Sequence, residues 1–369
     1  MNTLYGGDNL AILRREIPDN PIALVYLDPP FKTNQSHNTF FIQRRGSKSL
    51  SRIKVFNDTW RWDRRAADAY REIVEVAAEN VSRVMKALRL LVGDGSLLAY
   101  LAMMAPRLVE LHRVLRPGGA LYLHCDCAAS HYLKVLLDAV FAPENFRNEI
   151  IWTMQGIGRK RRIQKFPVDT QVLLYYTKAG DHVFNEQTRI ERIPKEFKRG
   201  CFVLPRGYRR DTLGRVYWTS PRGDYTDQSI GRLKAEGRVS VTQKGKVRVK
   251  YFVDEEETTI CVRRAVTNSW HDIPDTLRTG GERLGYPTQK PEALLERIIR
   301  TSSNEGDTVL DPFCGSGTAL VVAQRLHRHW IGIDTSPLAV RLAEQRLRKT
   351  FGDHLVYTVC RGTRLRDNP

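Results

Sequence analysis

Long apolar runs are missing from this sequence. Its richest stretch, Val84 to Met104, is interrupted by Lys86, Arg89 and Asp94, so nothing reaches the roughly 18 uncharged residues that a membrane-spanning helix needs. Met1 to Leu10 holds Asp8 and two glycines where a secretory leader would place basic residues and then an apolar run, so the expectation is a cytoplasmic protein with no membrane partner. Cysteine is also sparse, with six residues, no Cys-x-x-Cys pair, and only Cys125 and Cys127 close together. That is too few for a zinc site of standard spacing, and no metal is expected. Negative charge is in short supply, because 41 Asp plus Glu face 59 Lys plus Arg for a formal net charge of +18. The chain is 41% hydrophobic, which excludes wholesale disorder. A folded chain with such a surplus suits a polyanionic partner, nucleic acid first.

At 369 residues the chain suits two domains, or one large domain carrying an insertion. Both ends read as α/β material. The first end has an apolar strand Ile22 to Leu27, helical stretches from Ala66 to about Leu91 and on to Leu115, a Pro117-Gly118-Gly119 turn and a strand Ala120 to His124. The second has a helix Pro291 to Ser302, strand Thr308 to Leu310, a glycine turn, helix Thr318 to Leu326, strand Trp330 to Ile333 and helix Pro337 to Lys349. Between them the texture changes to short β-like runs such as Val247 to Val253 and Thr258 to Val262. Over Ile151 to Gly285, 27 Lys plus Arg against 16 Asp plus Glu leave +11 of the +18. The expected division is therefore 1–154, an inserted basic and partly β region 155–283, and 284–369. The Asp254-Glu-Glu-Glu257 run reads as a solvated turn.

Two motifs carry chemistry. The first strand runs directly into Asp28-Pro29-Pro30-Phe31, which puts a carboxylate and a ring at the carboxyl end of a buried strand, where open α/β sheets bind ligands. The prolines remove two N–H donors and present carbonyl acceptors, which suits an amino group. Read alone, the tetrapeptide is equally a strand-ending turn. The second motif, Asp311-Pro-Phe-Cys-Gly-Ser-Gly-Thr318, follows an apolar strand and precedes a helix. Leu320 stands where a dinucleotide fingerprint needs its third glycine, and Gly-Lys-Ser/Thr is absent, which disfavours NAD and ATP. About 20 residues on, Asp334 ends a strand where an acid can accept from both ribose hydroxyls of an adenosine ligand, although it also reads as a helix cap before Thr335-Ser336-Pro337.

These residues resemble the β-class amino-group DNA methyltransferases, the adenine-N6 and cytosine-N4 family in which the catalytic motif comes first and the S-adenosylmethionine motif last. The likeness covers six ordered blocks: Tyr5 to Leu10, Asp28 to Phe31, Leu115 to His124, Gly285 to Glu292, Asp311 to Thr318 and Gly332 to Pro337. It implies a Rossmann-like α/β sheet in permuted motif order with a target-recognition insertion. It also implies S-adenosylmethionine as cofactor and double-stranded DNA as partner, with a homodimer and a cognate restriction endonuclease as further partners. The catalytic set would be Asp28, Pro29, Pro30 and Phe31. The cofactor set would be Asp8, Asp28, Thr288, Lys290, Asp311, Phe313, Gly315, Ser316, Gly317, Thr318 and Asp334. Asp8 also reads as a helix cap and Lys290 as a solvated lysine.

The implied reaction is methyl transfer to an exocyclic amine, with Asp28 and the Pro29 carbonyl accepting from that amine and Phe31 stacking on a flipped base. No Pro-Cys dipeptide occurs, which excludes carbon-5 cytosine chemistry. Adenine is favoured because the family's cytosine enzymes usually carry Ser where Asp28 stands. The basic, aromatic segment Asn34 to Trp62, with Arg44, Arg45 and Lys48, and the clusters Arg159-Lys160-Arg161-Arg162 and Arg206, Arg209 and Arg210 are expected to contact DNA. Trp152 reads either as a base-flanking or as a core tryptophan.

Overall fold

The computed structural model describes residues 2–30, 60–154, 166–198, 200–275, 282, 284, 286 and 289–361, and the backbone alone for 36–41 and 51–57. Two compact units emerge, residues 1–185 with 267–369 and residues 186–266. The first is built on a nine-stranded sheet made of β1 (Thr3–Gly6), β2 (Ile22–Leu27), β3 (Leu115–Cys125), β4 (Phe146–Thr153), β5 (Thr170–Thr177), β6 (Ser269–Trp270), β7 (Thr308–Asp311), β8 (His329–Asp334) and β9 (Thr358–Arg361). Across the sheet the order is β6-β4-β5-β3-β2-β7-β8-β1-β9. β5 runs antiparallel to both its neighbours, and every other pairing is parallel.

Six consecutive apolar residues make β2, and all six are buried, as expected of a strand covered on both faces. The helix Ser96–Val114 buries twelve residues, including Leu98, Leu101, Met104 and Leu108 in the core beneath β2. From β2 the chain passes through helices to β3 on one side, and from β7 it passes through the helix Thr318–Arg325 to β8 on the other. The strand order therefore reverses between β2 and β7, and such a switch point opens a crevice at the carboxyl ends of the strands. Asp28 and Asp311 flank it.

Several elements depart from expectation. The stretch Ala66 to Leu91 is two helices, Arg64–Val76 and Glu79–Val92, with Ala77 and Ala78 extended between them. The break lets Tyr70 and Ile73 of one and Val81, Met85 and Leu88 of the other all reach the core. Pro117-Gly118-Gly119 lies within β3 and forms an irregularity in its pairing with β2. Gly118 has φ of +72°, and a Cβ there would fall 2.0 Å from the Asp181 carbonyl oxygen. Residues 170–177, expected in the insertion, are a strand of the central sheet, and the second compact unit is narrower than 155–283. Part of the expected loop 34–62 is an antiparallel hairpin, Ser36–Phe41 with Ser51–Asn57.

The second unit holds a four-stranded antiparallel sheet in the order Tyr208–Arg210, Val216–Pro221, Val247–Phe252, Val239–Val241. It also holds a three-stranded sheet of Asp254–Glu255, Thr259–Ala265 and Thr188–Pro194. Val216, Ile260 and Val262 form a small core. No described helix is long and apolar enough to cross a membrane.

Candidate functional site

Parallel pairing sets the site. Gly6 stands beside Asp334 and Asp311 beside Gly332, while Leu310 pairs with Val25, three residues before Asp28. The carboxyl-terminal ends of β1, β2, β7 and β8 thus bring Asp8, Asp28, Asp311 and Asp334 to one edge of the sheet. Pro29 is buried and Pro30 partly buried beyond Asp28. Phe31 lies outside the described residues, as do Thr288, Arg44, Arg45, Lys48 and Arg159, Lys160, Arg161 and Arg162.

Lys290 Nζ donates to Asp28 Oδ2 at 2.5 Å, and the two side chains are 7% and 16% exposed. Lys290 is therefore no solvated lysine. Burial holds the Asp28 carboxyl above its ordinary value, with the Lys290 ammonium pulling it back. Asp311 is buried and accepts from the Phe313 amide at 3.0 Å. Burial pushes it well above the carboxylate range despite that amide, and the Asp28 and Asp334 charges push the same way. Asp334 is pushed up by burial to about 6, opposed by amides of Ser336 and Gly315 that donate to its Oδ1 at 2.8 Å and Oδ2 at 2.9 Å. Asp28 pairs with Lys290 while Asp311 feels the charges of Asp28, Asp334 and Lys290, and such a surplus of carboxyl groups suits a cationic ligand.

The glycine turn brings backbone to this edge. Gly315 has φ of +49°, and a Cβ there would come within 3.1 Å of the Tyr286 ring. Gly317 is left-handed at +76°, and its Cβ would lie 2.9 Å from Ala343 Cβ. Ser316 and Thr318 are buried. Thr318 Oγ1 accepts from Arg346 at 2.7 Å, and Arg346 also binds Glu292, so this hydroxyl already ties the helix Thr318–Arg325 to its neighbours. Phe313 is partly buried and packs on the core.

Asp8 is both a cap and part of a network. Its Oδ1 accepts from Ala11 N at 3.1 Å and its Oδ2 from Arg107 at 2.8 Å. Arg107 also donates to Asn9 Oδ1, and Asn9 Nδ2 donates to the Pro312 carbonyl, which locks the helix Asn9–Glu16 onto the glycine turn. Sequence reasoning missed Arg107, although a lone cation in the otherwise apolar run Leu97 to Leu108 was a visible signal. It also missed Tyr286, whose hydroxyl is pushed up by burial and then by the Asp334 charge, with Asp28 adding to it. Trp152 is a core residue, 1% exposed, with its indole N–H on the Ile273 carbonyl at 2.9 Å.

In the second unit, Arg206 and Arg209 are exposed, whereas Arg210 forms a two-pronged ion pair with Glu255 at 2.7 and 2.8 Å. Among the described residues no group of three or more His, Cys, Asp or Glu could hold a metal.

A family model described as DNA methylase matches residues 22–345. The type II methyltransferase M.EcaI of Enterobacter cloacae is 26% identical over 381 residues, covering 98% of this chain and 73% of that protein. The DNA adenine methyltransferase YhdJ of Escherichia coli is 28% identical over 240 residues, 65% of this chain and 64% of that one. The type II methyltransferase M2.DpnII of Streptococcus pneumoniae is 60% identical over 62 residues, 17% of this chain and 23% of that one. Among solved structures, a Thermus thermophilus protein titled a putative DNA modification methylase, TTHA0409, complexed with S-adenosyl-L-methionine, is similar at 17% identity. It covers 98% of this chain and 99% of that one, with a TM-score of 0.48. Since the family model spans most of the chain, from β2 to the helix Pro337–Phe351, the protein belongs to the N6/N4 DNA methylase family.

Proposed function

We propose that this DNA methyltransferase transfers a methyl group from S-adenosylmethionine to the N6 amino group of adenine in duplex DNA. The observation that carries this reading is Asp28, a mostly buried carboxylate beside two prolines at the switch point, paired with Lys290 and near enough to Asp311 for their charges to interact. The residues present fit the cofactor. Gly315 and Gly317 hold left-handed backbone where a Cβ would crowd the Tyr286 ring and Ala343, which keeps the turn close to the sheet edge, and the excess of carboxylates at Asp28, Asp311 and Asp334 matches a ligand bearing a sulfonium and an ammonium. Asp334 would hold the ribose hydroxyls, Asp311 the ammonium, and the turn around Phe313 to Gly317 the methionine side.

When bound, S-adenosylmethionine supplies an electrophilic methyl group. Asp28 and the Pro29 carbonyl accept hydrogen bonds from the target amine, draw its lone pair out of conjugation with the ring, and orient it for in-line attack. The nitrogen–carbon bond forms as the sulfur–carbon bond breaks. The nitrogen then sheds a proton, and Asp28 is the group placed to take it. A base inside a duplex must first be extruded at a cost of a few kcal/mol. Adenine is preferred to cytosine because position 28 is Asp, and the relative YhdJ bears the name of a DNA adenine methyltransferase.

Transfer of labelled methyl to duplex DNA, followed by nucleoside analysis, tests the reading. N6-methyladenine is expected, with Asp28→Ala reducing turnover by on the order of a hundredfold or more, a far larger loss than in cofactor affinity. N4-methylcytosine in place of N6-methyladenine would overturn the base assignment. Full activity in Asp28→Ala would overturn the mechanism.

A further inference from the structure

The four-stranded sheet of the second unit has two unlike faces. Strand alternation and the pairing register place Val216, Trp218, Val239, Val241, Val247, Val249 and Tyr251 on one face, with Val216 and Val249 buried. Arg209, Tyr217, Thr219, Pro221, Ser240, Arg248, Lys250 and Phe252 share the other. That second face carries three cations and no carboxylate. Arg209 is exposed, and Tyr217, Thr219, Arg248, Lys250 and Phe252 are each partly exposed.

Its side chains are ordered by one another. Lys250 Nζ sits 5.0 Å from the centre of the Tyr217 ring, and Arg215 lies over Phe252 at 4.1 Å. Tyr217 and Phe252 meet edge to face at 6.0 Å. Arg248 is steadied on Thr219 through the hydroxyl and the carbonyl, both at 2.8 Å. Several acids of this unit are engaged at the three-stranded sheet or its neighbours, Glu191 with Arg264, Glu255 with Lys195 and Arg210, and Glu256 with Arg192, while Asp227 pairs with Arg222 and Glu236 with Arg238. Asp211, at the edge of the open face, is taken up by Leu213 N, Arg215 N and the Arg215 side chain. Among the described residues the sheet itself offers Arg209, Arg248 and Lys250 no carboxylate on this face, and rings are set between the cations.

We infer that the face bearing Arg209, Tyr217, Arg248, Lys250 and Phe252 is the surface that the second unit applies to duplex DNA. The inference rests on the reading of the chain as a DNA methyltransferase and adds which surface meets the substrate. A sheet can enter or lie along a groove. The cations answer phosphates, and the rings offer apolar contact to sugars and thymine methyl groups. The pairing also divides the cluster Arg206 to Arg210, since Arg209 faces outward on this surface and Arg210 faces the opposite way into its pair with Glu255.

The test compares two charge-matched variants of the full chain: Arg209→Gln with Lys250→Gln on the face, and Arg232→Gln with Lys234→Gln on exposed positions of the helix Asp227–Ala235. Glutamine keeps most of each side-chain stem, so Tyr217 stays covered. Binding to duplex DNA is read by fluorescence anisotropy over a salt series. The face variant should lose about tenfold in affinity, and its log–log salt slope should flatten by nearly two, about 0.9 for each phosphate no longer neutralised. The helix variant should stay within about threefold of the wild type. S-adenosylmethionine affinity and melting temperature, unchanged in both, would show that the face variant is impaired in DNA binding and not in folding. If both variants weaken equally, or the face variant binds as the wild type does, the assignment is overturned. If the wild type methylates no DNA, the proposed function fails, a result distinct from equal variants on an active enzyme.

Discussion

Asp28 and Lys290 are 262 residues apart in the chain, yet their 2.5 Å contact governs what the carboxylate can do. Burial favours the neutral acid and Lys290 opposes it. Protonation would turn one acceptor oxygen into a donor and spoil its hold on an amine. Lys290→Met removes the opposing charge, so the Asp28 pKa should climb and the acid limb of the pH–rate profile should move to higher pH, with turnover partly restored under alkaline conditions. Lys290→Arg keeps the charge and should leave that limb near its wild-type position. Single-turnover methyl transfer across pH 6 to 9 checks this, and an equal loss at every pH would mark the pair as structural only. Asp334 makes a separate expectation. Its folded pKa is raised to about 6, so the carboxylate that would accept ribose hydroxyls is protonated below that pH and ionised above it. S-adenosylmethionine affinity measured by calorimetry should therefore weaken as pH falls through about 6, and Asp334→Ala should be weak at every pH.

At the scale of elements, glycine positions separate turns that need the residue from turns that only tolerate it. Gly118 and Gly306 both have positive φ, +72° and +82°. A Cβ at Gly118 collides with the Asp181 carbonyl at 2.0 Å, while at Gly306 it meets nothing within 4 Å. Gly306→Ala should cost about 1 kcal/mol of stability, the strain of a left-handed non-glycine residue. Gly118→Ala should cost several times more, because backbone in the middle of the sheet must move. Chemical denaturation of the two variants makes the comparison. The same contrast explains what could be read from sequence. The strands leading to Asp28, Asp311 and Asp334 are legible, because a short apolar run, six residues in β2 and fewer in the other two, entering a Pro- or Gly-marked turn has few alternatives. Pro117-Gly118-Gly119 was misread because the same residues that make a turn also allow an irregular strand, and only the pairing partner decides. β5 is not separable in the sequence although Val172 to Tyr176 is apolar, because one short β-like run among others reads as part of the inserted region. The Lys290–Asp28 pair and the Asp8–Arg107–Asn9–Pro312 network depend on contacts between distant segments, and no spacing rule reveals them.

At the scale of the whole molecule, the second unit leaves and rejoins the first through adjacent strands. Thr188–Pro194 and Thr259–Ala265 are antiparallel, with Thr188 opposite Ala265, and Val266 N donates to the Gln187 carbonyl at 2.9 Å. Both stumps are anchored within the first unit, Asn185 through the carbonyls of Thr301 and Arg300 and Thr267 through the Trp270 indole. A short Gly-Ser linker replacing 186–266 should therefore close without strain, since bridging ends already side by side costs little entropy. The shortened protein should melt cooperatively and bind S-adenosylmethionine with wild-type affinity, because Asp8, Asp28, Asp311 and Asp334 all lie on the retained sheet. Duplex DNA affinity should fall steeply, its salt slope should flatten, and methyl transfer should be lost, because 19 Lys plus Arg against 11 Asp plus Glu leave with the unit. Cutting instead at 155 and 283 would remove β5, the antiparallel link between β3 and β4. That protein should aggregate, since Leu121 and Leu123 lose their ladder partners and Ile150 and Trp152 are exposed. Melting curves and calorimetry on the two deletions decide the matter. A shortened protein lacking only 186–266 that fails to bind S-adenosylmethionine would show that the cofactor site depends on the second unit. One that still binds DNA with full salt dependence would place the DNA surface on the first.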